Sequence, residues 1–141
     1  MGCDSIVMGR NRDTLSKEIK VLLIDDEVDF LELVKGYLDL RGFKTFIASD
    51  ASAGLSKFKH KKPDIVICDL IMPGRDGYDV ISHIRNKDTE IPIIILSIIH
   101  DFEGKKEIYK EGNNYYMSKP VSMKILEKHV KEICGKPQLT R

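Results

Sequence analysis

The sequence has no tryptophan, and only three cysteines and five prolines among 141 residues. Cys3, Cys68 and Cys134 are odd in number and share no common spacing. That excludes a disulfide framework and a zinc site, and it fits a reducing, cytoplasmic setting. Cys68 stands inside an apolar run and reads as a small hydrophobe. No apolar run approaches the ~20 residues that a membrane span requires. The amino terminus lacks the basic start and apolar stretch of a secretion signal. A myristoylation motif would need Ser or Thr where Ile6 stands. An excess of one charge is missing too: 23 Lys and Arg against 22 Asp and Glu leave a net charge of +1. No nucleic-acid or membrane surface is therefore expected. What remains is a chain 42% hydrophobic and 32% charged, suited to one soluble domain with a single core.

Residues 1–18 are polar and without period, and read as a flexible tail or linker. Order is expected over 19–134, with 135–141 as a tail or linker stub. Short unbroken apolar runs between turn signals read as strands buried on both faces. Such runs occur at 19–24, 65–68 and 91–96, and weaker strands at 43–48 and 114–117. Between them, helical spacing predicts helices over 28–40, 50–60, 78–86 and 100–111. Gly42 and Gly112 would close the first and fourth of these. A last helix over 121–134 would be opened by Pro120, a residue favoured in the first helical turn. Five strands alternating with five helices predict a doubly wound α/β fold: a parallel sheet of order 2-1-3-4-5 flanked by helices.

In such a sheet the carboxyl ends of all strands face one side, where ligands bind. The first polar groups met there are Asp25, Asp26 and Glu27 after strand one, Asp69 after strand three, Ser97 after strand four and Lys119 after strand five. Each alone has a plain structural use. Asp25 or Asp26 could cap a helix, Ser97 likewise, and Lys119 could be surface. Together they suit the binding of a hard divalent cation and a phosphoryl group. Carboxylates and water are what Mg²⁺ prefers, and a carboxylate can serve as a phosphoryl-accepting nucleophile. Crowded carboxylates also call for a cation.

The stretches Lys20-Val21-Leu22-Leu23-Ile24-Asp25-Asp26-Glu27, Asp64 to Pro73 with Asp76-Gly77, Ile93-Ile94-Ile95-Leu96-Ser97 and Tyr115-Tyr116-Met117-Ser118-Lys119-Pro120 resemble the receiver domain of two-component response regulators, the CheY-like family. The resemblance covers residues 20–134. It implies that Asp69 is the phosphoacceptor, loaded by a sensor histidine kinase, a phosphotransfer protein or a small phosphodonor. It implies Mg²⁺ on Asp25, Asp26, Asp69 and the Ile71 main-chain carbonyl, with Ser97 and Lys119 on the phosphoryl oxygens. Tyr116 matches the switch aromatic, coupled to Ser97. The domain would be a signalling switch and not a turnover enzyme, acting on a downstream effector or output domain that the sequence does not identify. It would bind neither nucleic acid nor membrane directly. A homodimer through the fourth helix, the fifth strand and the last helix is a further expectation by analogy.

The chain departs from the family after Ser97, where Ile98 and Ile99 replace a small residue and its neighbour, and at Ile71, where many relatives are polar. The apolar residues at Ile71 and Ile99 predict slow loss of phosphate, since neither can orient a water. A binding module of the same fold that takes no phosphate is the competing reading, supported by Ile98 alone. An aspartyl phosphatase would need an acidic residue where Ile71 stands.

Overall fold

The computed structural model describes residues 18–72, 77–97 and 112–135. Its elements are β1 (Lys20–Ile24), α1 (Val28–Leu40), β2 (Lys44–Ala48), α2 (Ala51–Lys61), β3 (Ile65–Asp69), α3 (Gly77–Lys87), β4 (Ile93–Ser97), β5 (Asn114–Ser118) and α4 (Met123–Cys134). The strands form one parallel sheet in the order β2-β1-β3-β4-β5, as the apolar runs predict. The helix expected over 100–111 lies outside the described residues, as do the two expected tails apart from Glu18 and Gly135.

Strands β3 and β4 are buried at every position, which is why their sequences run apolar without alternation. Successive side chains serve opposite faces. Leu22, Ile24, Val66, Cys68, Ile93 and Ile95 pack with Ala51, Val80, Ile81 and Ile84 of α2 and α3. Val21, Leu23, Ile65, Ile67, Ile94 and Leu96 pack with Leu31, Val34 and Leu38 of α1 and with Leu126 and Val130 of α4. The chain leaves β1 for β2 on one side and reaches β3 on the other. The sheet therefore reverses its winding between β1 and β3, and a crevice opens at their carboxyl ends.

The local signals act mostly as expected. Gly42, at φ +99°, ends α1, and the Asp50 side chain accepts the Ala53 N–H at 2.8 Å to cap α2. The start of the last helix differs from the expectation at Val121. Helix α4 begins at Met123, with Ser122 as its cap, accepting the Ile125 N–H. Pro120 belongs to the turn before it, in a cis peptide bond with Lys119. A hydroxyl that satisfies an unpaired helix-terminal N–H sets the boundary here, not the proline ring.

At the amino end of the sheet, a nearly buried arginine ties three segments together. Arg85 of α3 donates to the Asp88 carbonyl (3.0 Å), the Ile91 carbonyl (2.8 Å), the Asn113 carbonyl (2.9 Å) and Asn114 Oδ1 (3.1 Å). Gly112, at φ +89°, passes so close that a Cβ there would collide with the guanidinium. Replacing Arg85 by Met keeps the aliphatic stem but strands buried acceptors. Arg85→Met is expected to lower stability by about 2–4 kcal/mol, read from urea unfolding. An unchanged midpoint would mean that water takes over those carbonyls.

Candidate functional site

The crevice is built from strand ends. Asp25 follows β1 directly and is held by its own N–H, which bonds to the Ala48 carbonyl at 3.1 Å. Its side chain is fully buried, and Oδ1 accepts the Glu27 N–H at 2.9 Å. Asp26, next along, is exposed. Asp69 ends β3 and is 7% exposed. The loop beyond it is pinned by the Leu70 N–H to the Leu96 carbonyl (2.9 Å) and by the Gly77 N–H to the Leu70 carbonyl (2.8 Å). Gly77 is required at this point, because a Cβ would collide with the Asp69 carbonyl. One carboxylate oxygen from each of Asp25, Asp26 and Asp69 lies within 4.8 Å of the others.

Lys119 enters the same space from the end of β5. Its N–H bonds to the Ser97 carbonyl at 3.0 Å. Its ammonium lies 2.7 Å from Asp25 Oδ2, 3.3 Å from Glu27 Oε1 and 3.7 Å from Asp69 Oδ2. The Phe30 ring of α1 sits 5.0 Å away, centroid to nitrogen, in cation–π range. Burial works to lower the Lys119 pKa, but the hydrogen bond and charge of Asp25 outweigh it and raise the pKa. For Asp69, burial and then the Asp25 charge push the carboxyl up, against the pull of Lys119, to about 6. Three carboxylates thus face one ammonium. An all-oxygen set with unbalanced negative charge fits a hard divalent cation, and Asp69 stays mostly ionised, hence nucleophilic, at neutral pH.

Of the residues expected from the sequence, Asp25, Asp26, Asp69 and Lys119 come together. Ser97 is buried at the end of β4 beside them. Ile71 is about half exposed, and its N–H reaches Asp69 Oδ1 at 3.4 Å. Tyr116 lies apart on β5, 42% exposed, and burial of part of the ring raises its phenol pKa. Ile98 and Ile99 lie outside the described residues. Glu27, expected at this strand end beside Asp25 and Asp26, is brought to 3.3 Å from Lys119. One participant escaped the sequence reading. Phe30 read only as one apolar position of a helix.

Residues 21–131 match the family model of the response regulator receiver domain. A probable transcriptional regulator, ycf27, of Guillardia theta is 36% identical over 86% of this chain and 47% of its own length. The alkaline phosphatase synthesis transcriptional regulatory protein PhoP of Bacillus subtilis is 31% identical over 85% of this chain and 50% of its own. The chain thus spans about half the length of these curated relatives. Among solved structures, a response regulator receiver domain protein from Clostridium thermocellum superposes with a TM-score of 0.78 at 30% identity, covering 87% of this chain and 99% of that one. The receiver domain of the Francisella response regulator 1452 gives 0.75 at 29%, covering 84% and 98%.

The raised Asp69 pKa has a thermodynamic consequence. Its folded value, about 6, lies above the ~3.9 of an unfolded aspartate, so the folded state binds the proton more tightly. The group leaves stability untouched below pH ~4, erodes it as pH rises to about 6 and has a constant effect above that. In chelator, Asp69→Asn is expected to be more stable than wild type at pH 7.5 by about 1–3 kcal/mol. The difference should shrink toward zero near pH 4, as followed by denaturant titration at each pH. A difference independent of pH would show that ionisation of Asp69 in its buried, acid-crowded site is not its source.

Proposed function

Because this chain belongs to the response regulator receiver domain family, we propose that Asp69 is the residue that takes up its phosphoryl group. The observation that carries this reading is the convergence of Asp25, Asp26 and Asp69 within 4.8 Å, with the Lys119 ammonium among them. A carboxylate oxygen of Asp69 attacks phosphorus, the P–N bond of a phosphohistidine breaks, and the imidazole leaves. Asp25, Asp26, Asp69 and the Ile71 main-chain carbonyl would hold magnesium. When bound, the ion neutralises charge on the phosphoryl oxygens. Lys119 binds one of those oxygens as a fixed positive charge, and the Ser97 hydroxyl donates to another. Tyr116 is the aromatic that changes position as Ser97 does, which makes β5 the two-state element.

The phosphodonor in this reading is a sensor histidine kinase or a phosphotransfer protein, and the chain is a switch that reacts once per signal. Two relatives are named transcriptional regulators and extend to about twice the matched length. Control of an output domain or separate effector follows, while a net charge of +1 gives no reason to expect a nucleic-acid surface on this domain. The described part of the expected dimer face carries a cavity lined by Ile94, Tyr115, Tyr116, Met117, His129 and Ile133. Among the described residues no helix is long and apolar enough to cross a membrane. Cys68 and Cys134 are free thiols, compatible with a cytoplasmic site of action.

Incubation with acetyl phosphate and Mg²⁺ is expected to add one phosphoryl group to wild type, seen by intact mass, and none to Asp69→Asn. Chelation should abolish the gain. Failure of wild type with both acetyl phosphate and a cognate kinase would sink the reading and favour a binding module that takes no phosphate. The lifetime of the product tests Ile71, whose half-exposed apolar side chain beside Asp69 cannot orient a water. Ile71→Asn is expected to shorten the half-life at least about threefold, within the range of one added hydrogen bond to water. An unchanged half-life would assign the control of hydrolysis elsewhere.

A further inference from the structure

Strand β2 is an edge of the sheet. The Lys44 N–H bonds back to the Ile19 carbonyl, and the Ala48 carbonyl accepts the Asp25 N–H. Residues 44, 46 and 48 therefore direct their peptide groups to β1, and Thr45 and Ile47 turn theirs outward. Three of those four outward groups, all but the Ile47 N–H, are engaged by side chains. The Thr45 N–H donates to Asp39 Oδ1 at 3.1 Å. Lys35 Nζ donates to the Thr45 carbonyl at 3.0 Å, and Lys57 Nζ to the Ile47 carbonyl at 2.6 Å. Just before the strand, the Phe43 N–H is taken by the Leu38 carbonyl at 3.0 Å. Lys35 and Asp39 also hold one another, 2.8 Å apart on successive turns of α1. Burial works against the Asp39 charge, but hydrogen bonds from Lys35 and Thr45 outweigh it and lower its pKa. Lys44 and Lys61 place two more ammonium groups over the Phe46 ring, at 5.8 and 5.5 Å.

We propose that Lys35, Asp39 and Lys57 form a clasp that closes the β2 edge against pairing with β2 of a second copy of this chain. The partner follows from the geometry. Stripped of the clasp, the edge would present the N–H and C=O of both Thr45 and Ile47 in a row. A copy related by a two-fold axis presents the same row reversed, the self-complementary arrangement of an antiparallel ladder. Lysines at an edge oppose this twice, by occupying the acceptors and by setting like charges against each other. The clasp draws on two helices, α1 and α2, so each must stay docked for the edge to stay shut.

The test compares self-association of the full chain by sedimentation velocity over a concentration series, with circular dichroism to establish folding. Lys35→Met/Asp39→Asn/Lys57→Met is expected to associate at least about tenfold more tightly than wild type. Lys35→Arg/Lys57→Arg, which retains the donors, should behave as wild type. Adding Ile47→Pro to the triple variant removes an outward N–H and should abolish the gain. A folded triple variant that associates no more than wild type overturns the proposal, and so does association that survives Ile47→Pro, since it then runs through another surface. Should the triple variant not fold, Lys57→Met is compared with Lys57→Arg. Tighter association of the Met variant supports the clasp, and equal behaviour overturns it.

Discussion

The ion pair of Lys119 and Asp25, 2.7 Å long, makes the carboxyl end of this sheet sustainable. Asp25 is fully buried, and a buried carboxylate without a partner costs several kcal/mol. The ammonium that compensates it is not free to serve Asp25 alone, since Glu27 and Asp69 also lie within 4 Å of it. One positive charge is shared among three acids. Any change of charge at Asp69 alters how Lys119 divides itself. Lys119 follows β5 without an intervening residue, so such a change acts first on the sheet edge opposite β2. In the proposed function this is the physical link between phosphorylation and a changed surface.

The acids are crowded because the sheet leaves them no alternative. Ile24 pairs with Cys68 across β1 and β3, and the next residue on each strand is a carboxylate, Asp25 and Asp69. Asp69 pairs with Leu96, which brings Ser97 to the same level. The strands are buried on both faces, and shifting the register by one residue would exchange the side chains packed against α2 and α3 with those packed against α1 and α4. The hydrophobic core therefore fixes the spacing of the charges, and the burial and the Asp25 repulsion that raise the Asp69 pKa are carried by the stability of the rest.

Both the sheet and the polar set could be read from the sequence for that same reason. Unbroken runs such as Ile65–Cys68 have no other comfortable place, and each ends at the residue it delivers. What could not be read depends on contacts between distant segments. Adjacent Asp25 and Asp26 look equivalent, yet one is buried and the other exposed because only Asp25 remains bonded into the sheet. Nothing marks Arg85, whose acceptors come from the turn just past α3, the approach to β4 and the start of β5. Gly77 reads as loop chemistry, whereas its role is to let the chain pass the Asp69 carbonyl. Pro120 gives a genuine helix-start signal, and Ser122 overrides it with a hydrogen bond that exists only once the turn has formed.

Helix α1 links the site to the far side of the molecule. Its carboxyl half is held to α4 by Glu127, which accepts from the Tyr37 hydroxyl at 2.9 Å and from Arg41 at 3.1 Å, with Lys131 also 3.1 Å away. Its amino half carries Phe30, the ring beside Lys119. Lys35 at its middle and Asp39 in its last turn engage β2. A rigid helix has few degrees of freedom, so these attachments constrain each other. Loosening Glu127 would let α1 tilt, and a tilt large enough to withdraw Phe30 from Lys119 would also strain the bonds of Lys35 and Asp39 to Thr45. The side chains that balance charge at the crevice and those that cover the β2 edge therefore rest on a single helix held by the sheet and by α4.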